Sequence, residues 1–265
     1  MPVNWDHVGN LLREVADRVV MPRYGRLAPG DAEFKAADEP VTVADREAEE
    51  SITRGLLALT PGALIVGEEA CAADPPLLDR MDDETVWLVD PIDGTRNFMS
   101  GEGPFAMMVA LLRRGEPVGA CILDPLSGRV ITAEAGGGAW INGERLKVTD
   151  RREPLGNLQG IVSSAFRPAG AVQQVGNIIE RVRKVSPTLR CAGFEYPQVA
   201  QGEQDFAIYW RTLAWDHAPG ALLVRESGGT VTHLDGRPYH PAAPRPGLLV
   251  ARTPAICDEL LSLVA

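Results

Sequence analysis

Apolar residues recur every three or four positions in two long N-terminal segments of the chain. The first segment runs from Asn4 to Tyr24, and the second follows Thr42 and ends at Pro61-Gly62. This spacing places the apolar side chains along one side of an α-helix, and a Pro-Gly pair stops a helix. The pattern therefore predicts two amphipathic helices, each with its polar and acidic residues on the opposite face.

The spacing changes after residue 62, where short apolar runs rich in β-branched residues follow. Two of these runs, at 63–69 and 85–91, end in acidic residues and predict buried strands whose ends carry carboxylates. Three further runs, at 105–113, 117–124 and 129–134, are separated by short turn-forming segments. They predict an antiparallel meander.

The second half of the chain alternates between strand-like and helix-like patterns, which is typical of layered α/β structure. The polar stretch at 149–157 predicts a boundary between an N-terminal α+β half, residues 1–150, and a C-terminal α/β half, residues 151–265, within one compact unit. The elements predicted after the boundary are a strand at 160–164, a helix at 171–184, a strand at 189–191, a helix at 195–201, a strand at 205–209, a helix at 216–227, strands at 229–233 and 247–251, and a helix at 254–264.

Length and composition place the chain among ordinary globular proteins: it has 265 residues, of which 45% are apolar, and a net charge of −10. The acidic balance argues against nucleic acid and anionic membranes as partners. The sequence has no signal-peptide pattern and no apolar run long enough to span a bilayer, so we expect a cytoplasmic protein with no membrane partner. Its four cysteines lie far apart and form no CxxC, which predicts reduced, buried thiols.

The stretch DPIDGTRNF at 90–98 is the most informative for function. Asp90 closes an apolar strand, and a proline and Gly94 allow a tight turn, so the carboxylates of Asp90 and Asp93 can converge on one point. With the Ile92 carbonyl between them, these groups suit a hard cation such as Mg²⁺. The alternative is that both aspartates cap the turn by accepting hydrogen bonds from backbone amides.

Other acidic residues could join this site. Glu68 and Glu69 end a predicted strand, and because strand neighbours face opposite ways, we expect Glu68 alone to point into the site. An exposed acidic pair in a solvated loop is the alternative. Asp216 stands at a predicted helix start, either as a metal ligand or as an N-cap. Asp45 opens the second helix, where it could simply complement the helix dipole.

Taken together, these segments resemble the inositol monophosphatase family of metal-dependent phosphatases. The resemblance implies a layered αβαβα sandwich, an α/β (α+β) fold of the sugar-phosphatase type. It also implies a homodimer, two or three Mg²⁺ ions per site and inhibition by lithium. It rests on segments in the family's order, KAADEPVTVAD (35–45), GEE (67–69), DPIDGTRNF (90–98), FAMMVALL (105–112), GGGAWINGERLKV (136–148) and WDHAPGALLVRESGG (215–229).

The resemblance also implies a role for each matching residue. Gly94 and Thr95 would offer backbone amides to the phosphate, the usual anion site of a helix start. Glu68 and Thr95 would position the attacking water, with Asp45 bonded to Thr95. Two metal sites would share one bridging carboxylate, as two-metal phosphoryl chemistry requires. The first would use Glu68, Asp90 and the Ile92 carbonyl, and the second Asp90, Asp93 and Asp216.

The residues expected at the substrate depart from those common in inositol phosphatases. Small residues usually follow the glycine at position 193, whereas this chain has Phe194 and Glu195, and the family's acidic contact position is Tyr209 here. Arg211 and His217 could read a second anionic group, although packing is the alternative for the aromatic residues. The expected substrate contacts are Gly193, Phe194, Glu195, Tyr209 and Arg211.

The sequence therefore predicts Mg²⁺-dependent hydrolysis of a small phosphorylated metabolite, a monoester resembling inositol phosphate. The reaction would use metal-activated water in one step, without a covalent phosphoenzyme. Histidinol phosphate, fructose 1,6-bisphosphate and a 3′-phosphonucleotide are alternative substrates. Two other functions stay open: a noncatalytic regulator that binds transcription or ribosome-assembly machinery, and a domain with a structural calcium site.

Overall fold

The computed structural model describes residues 3–36, 39–148 and 153–264. None of the described helices is both long and apolar enough to cross a membrane. The α-helices are α1 (Trp5–Val15), α2 (Val43–Leu59), α3 (Glu68–Ala73), α4 (Thr95–Ser100), α5 (Ala171–Ile179), α6 (Ala192–Gln201), α7 (Ala214–Ser227) and α8 (Pro254–Leu261). The strands are β1 (Ala32–Ala36), β2 (Glu39–Thr42), β3 (Leu64–Gly67), β4 (Val86–Asp93), β5 (Ala106–Arg113), β6 (Glu116–Asp124), β7 (Arg129–Glu134), β8 (Gly138–Ile141), β9 (Glu144–Leu146), β10 (Gln159–Val162), β11 (Lys184–Ser186), β12 (Phe206–Tyr209), β13 (Thr230–His233) and β14 (Leu248–Ala251).

Two sheets form the frame of the fold. The larger sheet has the order β3-β4-β5-β6-β7-β8-β9 and is antiparallel except for the β3–β4 pair. The smaller sheet has the order β11-β10-β12-β14-β13, in which β10 runs parallel to both of its neighbours. The predicted meander is thus confirmed as β5, β6 and β7. Strands β1 and β2 form a separate hairpin.

The helices make three layers around these sheets. Helices α1 and α2 bury apolar residues such as Leu12 and Ile52 against the larger sheet. Helices α6 and α7 lie between the two sheets, where Tyr196 and Leu222 join a shared core. Helices α5 and α8 pack on strands β10, β12 and β14 of the smaller sheet. The order of layers is αβαβα, as the sequence predicted.

The first predicted helix is correct in place but not in form. Helix α1 ends at Val15 and is followed by a π-helical segment, Ala16–Val20, and a 3₁₀ turn, Met21–Arg23. Pro22 lacks a backbone N–H and cannot continue the i→i−4 ladder of an α-helix, so the prediction of one regular helix to residue 24 is wrong at its C-terminal end. Helix α2 begins after Thr42 as predicted.

Other differences concern short elements. The predicted strand at 189–191 is wrong, because Arg190 has a φ of +59°, which no strand residue adopts. The strand lies earlier, as β11, and α5 correspondingly ends at residue 179 instead of 184. Strands β8 and β9 were not predicted, although the turn at 142–143 that joins them has the two positive φ values of a tight hairpin.

The predicted boundary falls between the two sheets in the chain order. Residues 149–152 lie outside the described residues, β9 precedes them and β10 follows. Helix α7 comes from the second half and packs against β5, β6 and β7 of the larger sheet. The division into two halves therefore stays a prediction. The middle helical layer, formed by α6 and α7, packs against strands of both sheets.

Candidate active site

A cleft of about 230 Å³ is lined by residues from both halves of the chain. It is smaller than the ~300–1,000 Å³ typical of sites for drug-sized ligands, which suits a small substrate. Of the residues predicted from the sequence, those that line it are Glu68, Asp90, Ile92, Asp93, Gly94, Thr95, Glu195, Tyr209, Arg211, Asp216 and His217.

Asp90 and Asp93 end the buried strand β4, as the sequence predicted. Asp90 accepts a hydrogen bond from the Ile92 N–H at 3.1 Å, so it does cap the local turn. Asp93 instead accepts a 2.6 Å hydrogen bond from the backbone N–H of Gly193 in α6. Gly94 has a φ of +91°, and a Cβ there would lie 3.1 Å from the Pro104 carbonyl oxygen, so the turn requires glycine.

Glu68 and Glu69 are in the first turn of helix α3 and not on a strand. The predicted strand position is therefore wrong, although of the two residues only Glu68 lines the cleft, as predicted. The ammonium of Lys35, from β1, contacts the carboxylates of both residues, at 2.8 Å from Glu68 and 2.7 Å from Glu69. Glu49 accepts hydrogen bonds from the N–H groups of Glu69 and Ala70, both at 2.8 Å, and so caps the helix.

Asp45 combines the two functions considered for it. Its carboxylate accepts a 2.8 Å hydrogen bond from the Thr42 N–H and completes a capping box at the start of α2. Its other oxygen is 3.4 Å from the Thr95 hydroxyl, which also lies 3.1 Å from the Ile92 carbonyl oxygen. Asp45 itself is not part of the cleft wall, and it reaches the cleft through Thr95.

Asp216 does not cap a helix. Helix α7 begins at Ala214, and Leu213 is its N-cap without any side-chain hydrogen bond. Asp216 lies in the first turn and lines the cleft. This position excludes the N-cap interpretation and leaves its carboxylate available to a ligand.

Burial and mutual repulsion dominate the electrostatics of the carboxylates. Burial, followed by repulsion from Glu68 and Asp93, raises the pKa of Asp90 well above its usual range. Burial and then Asp93 raise the pKa of Asp216 in the same way. Burial also raises the pKa of Asp93 to about 7. These acids oppose one another in a common cleft, so a cation would stabilise their charged forms.

The donor set suits Mg²⁺, which takes oxygen ligands and usually keeps several waters beside one or two carboxylates. Within the described part of the chain, no three His, Cys, Asp or Glu side chains are gathered to hold an ion as they stand. Asp90 and Asp93 bind backbone amides, and Glu68 binds Lys35. The residues therefore fit the metal by their chemistry, while their side chains have other partners.

We expect the metal-free protein to lose stability as the pH rises from about 5 to about 8. Burial raises the pKa values of Asp45, Glu49 and Asp93 to about 7, whereas unfolded carboxyls titrate near pH ~4. The folded protein then binds more protons than the unfolded chain between these values, and its stability falls with pH. Melting temperatures at about pH 5.5 and pH 8, with EDTA or Mg²⁺, test this: Mg²⁺ should stabilise most at pH 8. A metal-free protein that melts higher at pH 8 would contradict the prediction.

Two of the expected substrate contacts do not line the cleft. Gly193 lies beneath Asp93, where a Cβ would be 2.5 Å from the Ala106 Cβ. Phe194 packs against the core of the middle layer, with the Arg129 guanidinium carbon 5.9 Å from its ring centroid. For Phe194 the packing alternative is therefore correct.

The other predicted contacts are held by neighbours. Glu195 is fully buried and accepts hydrogen bonds from the Thr188 hydroxyl and the Leu189 N–H. Tyr209 is also buried, and its ring stacks on Tyr196 with centroids 5.6 Å apart. Both side chains form the wall of the cleft.

His217 does not act as a cation that reads an anion. Its two ring nitrogens lie 2.9 Å from the Tyr196 hydroxyl and 2.9 Å from the Arg211 carbonyl oxygen. Burial lowers its pKa to about 4, so the imidazole is neutral at physiological pH. The expectation of an anion contact is wrong for this residue.

Several residues that line the cleft, or contact a residue lining it, were not predicted. Lys35 lies in the segment KAADEPVTVAD, on which the family resemblance partly rests. Its positive charge is the sequence feature that could have identified it. Phe166 and Arg190 both have positive φ values, of +58° and +59°. Neither is a glycine, so the residue type does not predict this backbone conformation. Glu39, which forms an ion pair with Arg211, comes from the unpredicted hairpin.

Comparisons with known proteins agree with this geometry. The family model described as "Inositol monophosphatase family" matches residues 6–264. An inositol-1-monophosphatase of Mesorhizobium japonicum is 34% identical over 229 residues, covering 83% of this chain and 82% of that protein. A fructose-1,6-bisphosphatase/inositol-1-monophosphatase of Thermotoga maritima is 32% identical over 231 residues, covering 86% and 83%. A Nus factor SuhB of Vibrio cholerae is 30% identical over 210 residues, covering 76% and 74%.

A solved structure gives the same picture. The Thermotoga maritima IMPase superposes with a TM-score of 0.82 at 29% identity, over 98% of this chain and 96% of that one. This likeness extends to both sheets and all three helical layers, since nearly the whole chain takes part in it.

Proposed function

The chain belongs to the inositol monophosphatase family and is a phosphoric monoester hydrolase, and from this premise we propose that it uses Mg²⁺ to hydrolyse a small monoester resembling inositol phosphate. One observation carries the proposal: the carboxylates of Asp90, Asp93 and Asp216 line a single cleft and repel one another there. Such an arrangement destabilises the metal-free protein and is useful where divalent cations are held.

The metal ligands would be the residues already placed at the cleft. Glu68, Asp90 and the Ile92 carbonyl would hold one ion, and Asp90, Asp93 and Asp216 a second. The ions would supply Lewis-acid stabilisation of the charge that develops during phosphoryl transfer. Gly193 would keep Asp93 oriented through its N–H.

The phosphate would lie at the start of α4. Gly94 and Thr95 occupy the first positions of this helix, where backbone N–H groups have no partner within the helix and attract anions. This places the proposed phosphate contacts directly after the ligand Asp93. The leaving alcohol would then extend toward the wall formed by Tyr209 and Arg211.

Glu68, Thr95 and Asp45 would position the attacking water. Thr95 can accept a hydrogen bond from water while its hydroxyl donates one to the Asp45 carboxylate, 3.4 Å away. Glu68 would accept a hydrogen bond from the same water and help to orient it. We infer direct hydrolysis without a phosphoenzyme.

Phosphate release from a panel of monoesters tests the proposal. The panel is inositol 1-phosphate, histidinol phosphate, fructose 1,6-bisphosphate and 3′-phosphoadenosine 5′-phosphate, each with Mg²⁺ or EDTA. We expect release that depends on Mg²⁺, with inositol 1-phosphate hydrolysed well. Turnover undiminished by EDTA, or release from none of the esters, would contradict the proposal.

A regulatory binding function is the second candidate, because relatives named Nus factor SuhB match most of the chain. The two candidates separate in a binding experiment with purified transcription complexes, using wild type and Asp93→Asn. A stoichiometric complex that both proteins form equally well would support the regulatory function. Absence of a complex, together with Mg²⁺-dependent turnover, would support the enzyme.

We also infer from family membership that two or three Mg²⁺ ions act at turnover, that lithium inhibits and that the protein forms a homodimer. Light scattering after size exclusion measures the dimer directly. Lithium titration of the Mg²⁺-dependent activity measures the inhibition.

A further inference from the structure

We propose that Phe166 determines specificity at the mouth of the cleft: the open face of its ring stacks on a planar aromatic ring in those substrates whose alcohol part carries one. This inference rests on the proposed phosphatase function and adds a contact that a nucleotide-like ester would use and an inositol-phosphate-like ester would not. It adds a recognition element that lies outside the predicted metal, phosphate and substrate contacts.

The topology of the smaller sheet places Phe166 beside the cleft. Phe166 and Arg211 follow the carboxyl ends of β10 and β12, which are parallel neighbours. The segments after these two strands are tied together, because the Trp210 indole N–H donates to the Ser163 carbonyl oxygen at 2.7 Å. Ligands of α/β proteins bind outside the carboxyl ends of parallel strands, so Phe166 occupies a position suited to contact one.

One face of the Phe166 ring is already covered. The Arg211 guanidinium carbon lies 4.2 Å from the ring centroid, and Arg211 is held in place by its ion pair with Glu39. The side chain nevertheless keeps 57% of its surface exposed. A guanidinium on one face orients the ring and leaves the opposite face available to a second planar group.

The backbone at Phe166 is unfavourable for a bulky residue. Its φ of +58° places it in the left-handed region, where side chains with a Cβ are strained. Burial of the ring does not compensate for this strain, because the ring is largely exposed. Residues held in such conformations cluster at ligand-binding sites, and among the four non-glycine residues of this kind in the described chain, Phe166 and Arg190 both line the cleft.

An aromatic ring is the partner that this platform selects. Offset stacking on an aromatic side chain contributes to binding beyond the buried area, and a heteroaromatic base stacks on it whatever its hydrogen-bonding edge. A small aliphatic polyol would leave the open face of Phe166 in water. The platform therefore favours nucleotide-like monoesters over sugar phosphates of the same alcohol.

Adenosine 5′-monophosphate and ribose 5-phosphate form a matched pair of probes, because both would release phosphate from the same primary alcohol and differ by the base. With the Mg²⁺-loaded enzyme we expect a KM at least about tenfold lower for adenosine 5′-monophosphate, since one stacked base contributes of this order. In Phe166→Leu the ratio of the two KM values should fall toward one. Phe34→Leu, at an exposed phenylalanine that does not line the cleft, should leave the ratio unchanged.

Each outcome has a distinct meaning. Equal KM values in the wild type, or an unchanged ratio in Phe166→Leu, would overturn the inference while the phosphatase proposal stands. If inositol 1-phosphate is hydrolysed and adenosine 5′-monophosphate neither reacts nor inhibits better than ribose 5-phosphate, the inference is also overturned. If no ester is hydrolysed with Mg²⁺, both the inference and the proposed function fail.

Discussion

Replacing Asp93 by asparagine is expected to reduce Mg²⁺-dependent phosphate release by about 10³-fold or more. Asp93 is buried at the end of β4, lines the cleft and is fixed by the Gly193 N–H. The amide keeps the shape of the side chain and removes the charge that a second metal ion would need. The measurement is kcat/KM on the best ester of the panel, at saturating and at limiting Mg²⁺.

The same variant should behave differently in a stability experiment. Removing one of several carboxylates that repel one another reduces the electrostatic repulsion in the metal-free protein. Its melting temperature should therefore stay the same or rise. The increase in melting temperature on addition of Mg²⁺ should shrink, because ligand binding to the folded state is weaker. Asp17→Asn, at an exposed acid that does not line the cleft, is the matched control. Activity of Asp93→Asn within tenfold of the control would contradict the metal-ligand role.

Gly193→Ala is expected to impair both stability and activity. A Cβ at this position would lie 2.5 Å from the Ala106 Cβ, 2.9 Å from the Met108 sulfur and 3.3 Å from an Asp93 carboxylate oxygen. Helix α6 would have to move away from β5, at a cost of about 1–3 kcal/mol. Asp93 would lose its 2.6 Å hydrogen bond, and displacement of a ligand by about 1 Å reduces activity about 10²-fold.

Urea unfolding and kcat/KM measure these two effects. Gly176→Ala is the control, because this residue lies within α5, has no atom within 4 Å of a built Cβ and lacks a positive φ. Alanine should stabilise that helix by up to about 1 kcal/mol. A Gly193→Ala protein as stable and as active as the Gly176→Ala control would show that α6 tolerates the added methyl group.

The parts of the fold that were predictable are those in which local pattern and tertiary structure agree. Helix α2, the meander and the alternating second half follow from apolar spacing, and Asp90, Asp93 and Asp216 lie in motifs whose turn chemistry is local. Glu68 was placed correctly but on the wrong element, because a short apolar run ending in two acids does not reveal where a strand gives way to a helix.

The unpredicted features depend on contacts between distant segments. Arg190 and Phe166 adopt left-handed conformations that their residue types do not signal. His217 was expected to read a second anionic group, whereas Tyr196 and the Arg211 carbonyl oxygen hold it as a buried neutral ring. Phe194 was expected at the substrate, and the turn of α6 directs it into the core instead.

The contact between Lys35 and the two glutamates would affect how a cation enters the proposed metal site. A cation bound at Glu68 would have to replace the Lys35 ammonium, which lies 2.8 Å from that carboxylate, so loading there would exchange one counterion for another. The displaced ammonium belongs to the β1–β2 hairpin, which also carries Glu39 and therefore its partner Arg211. The β1–β2 hairpin therefore connects the ion pair at Glu68 with the ion pair at Arg211.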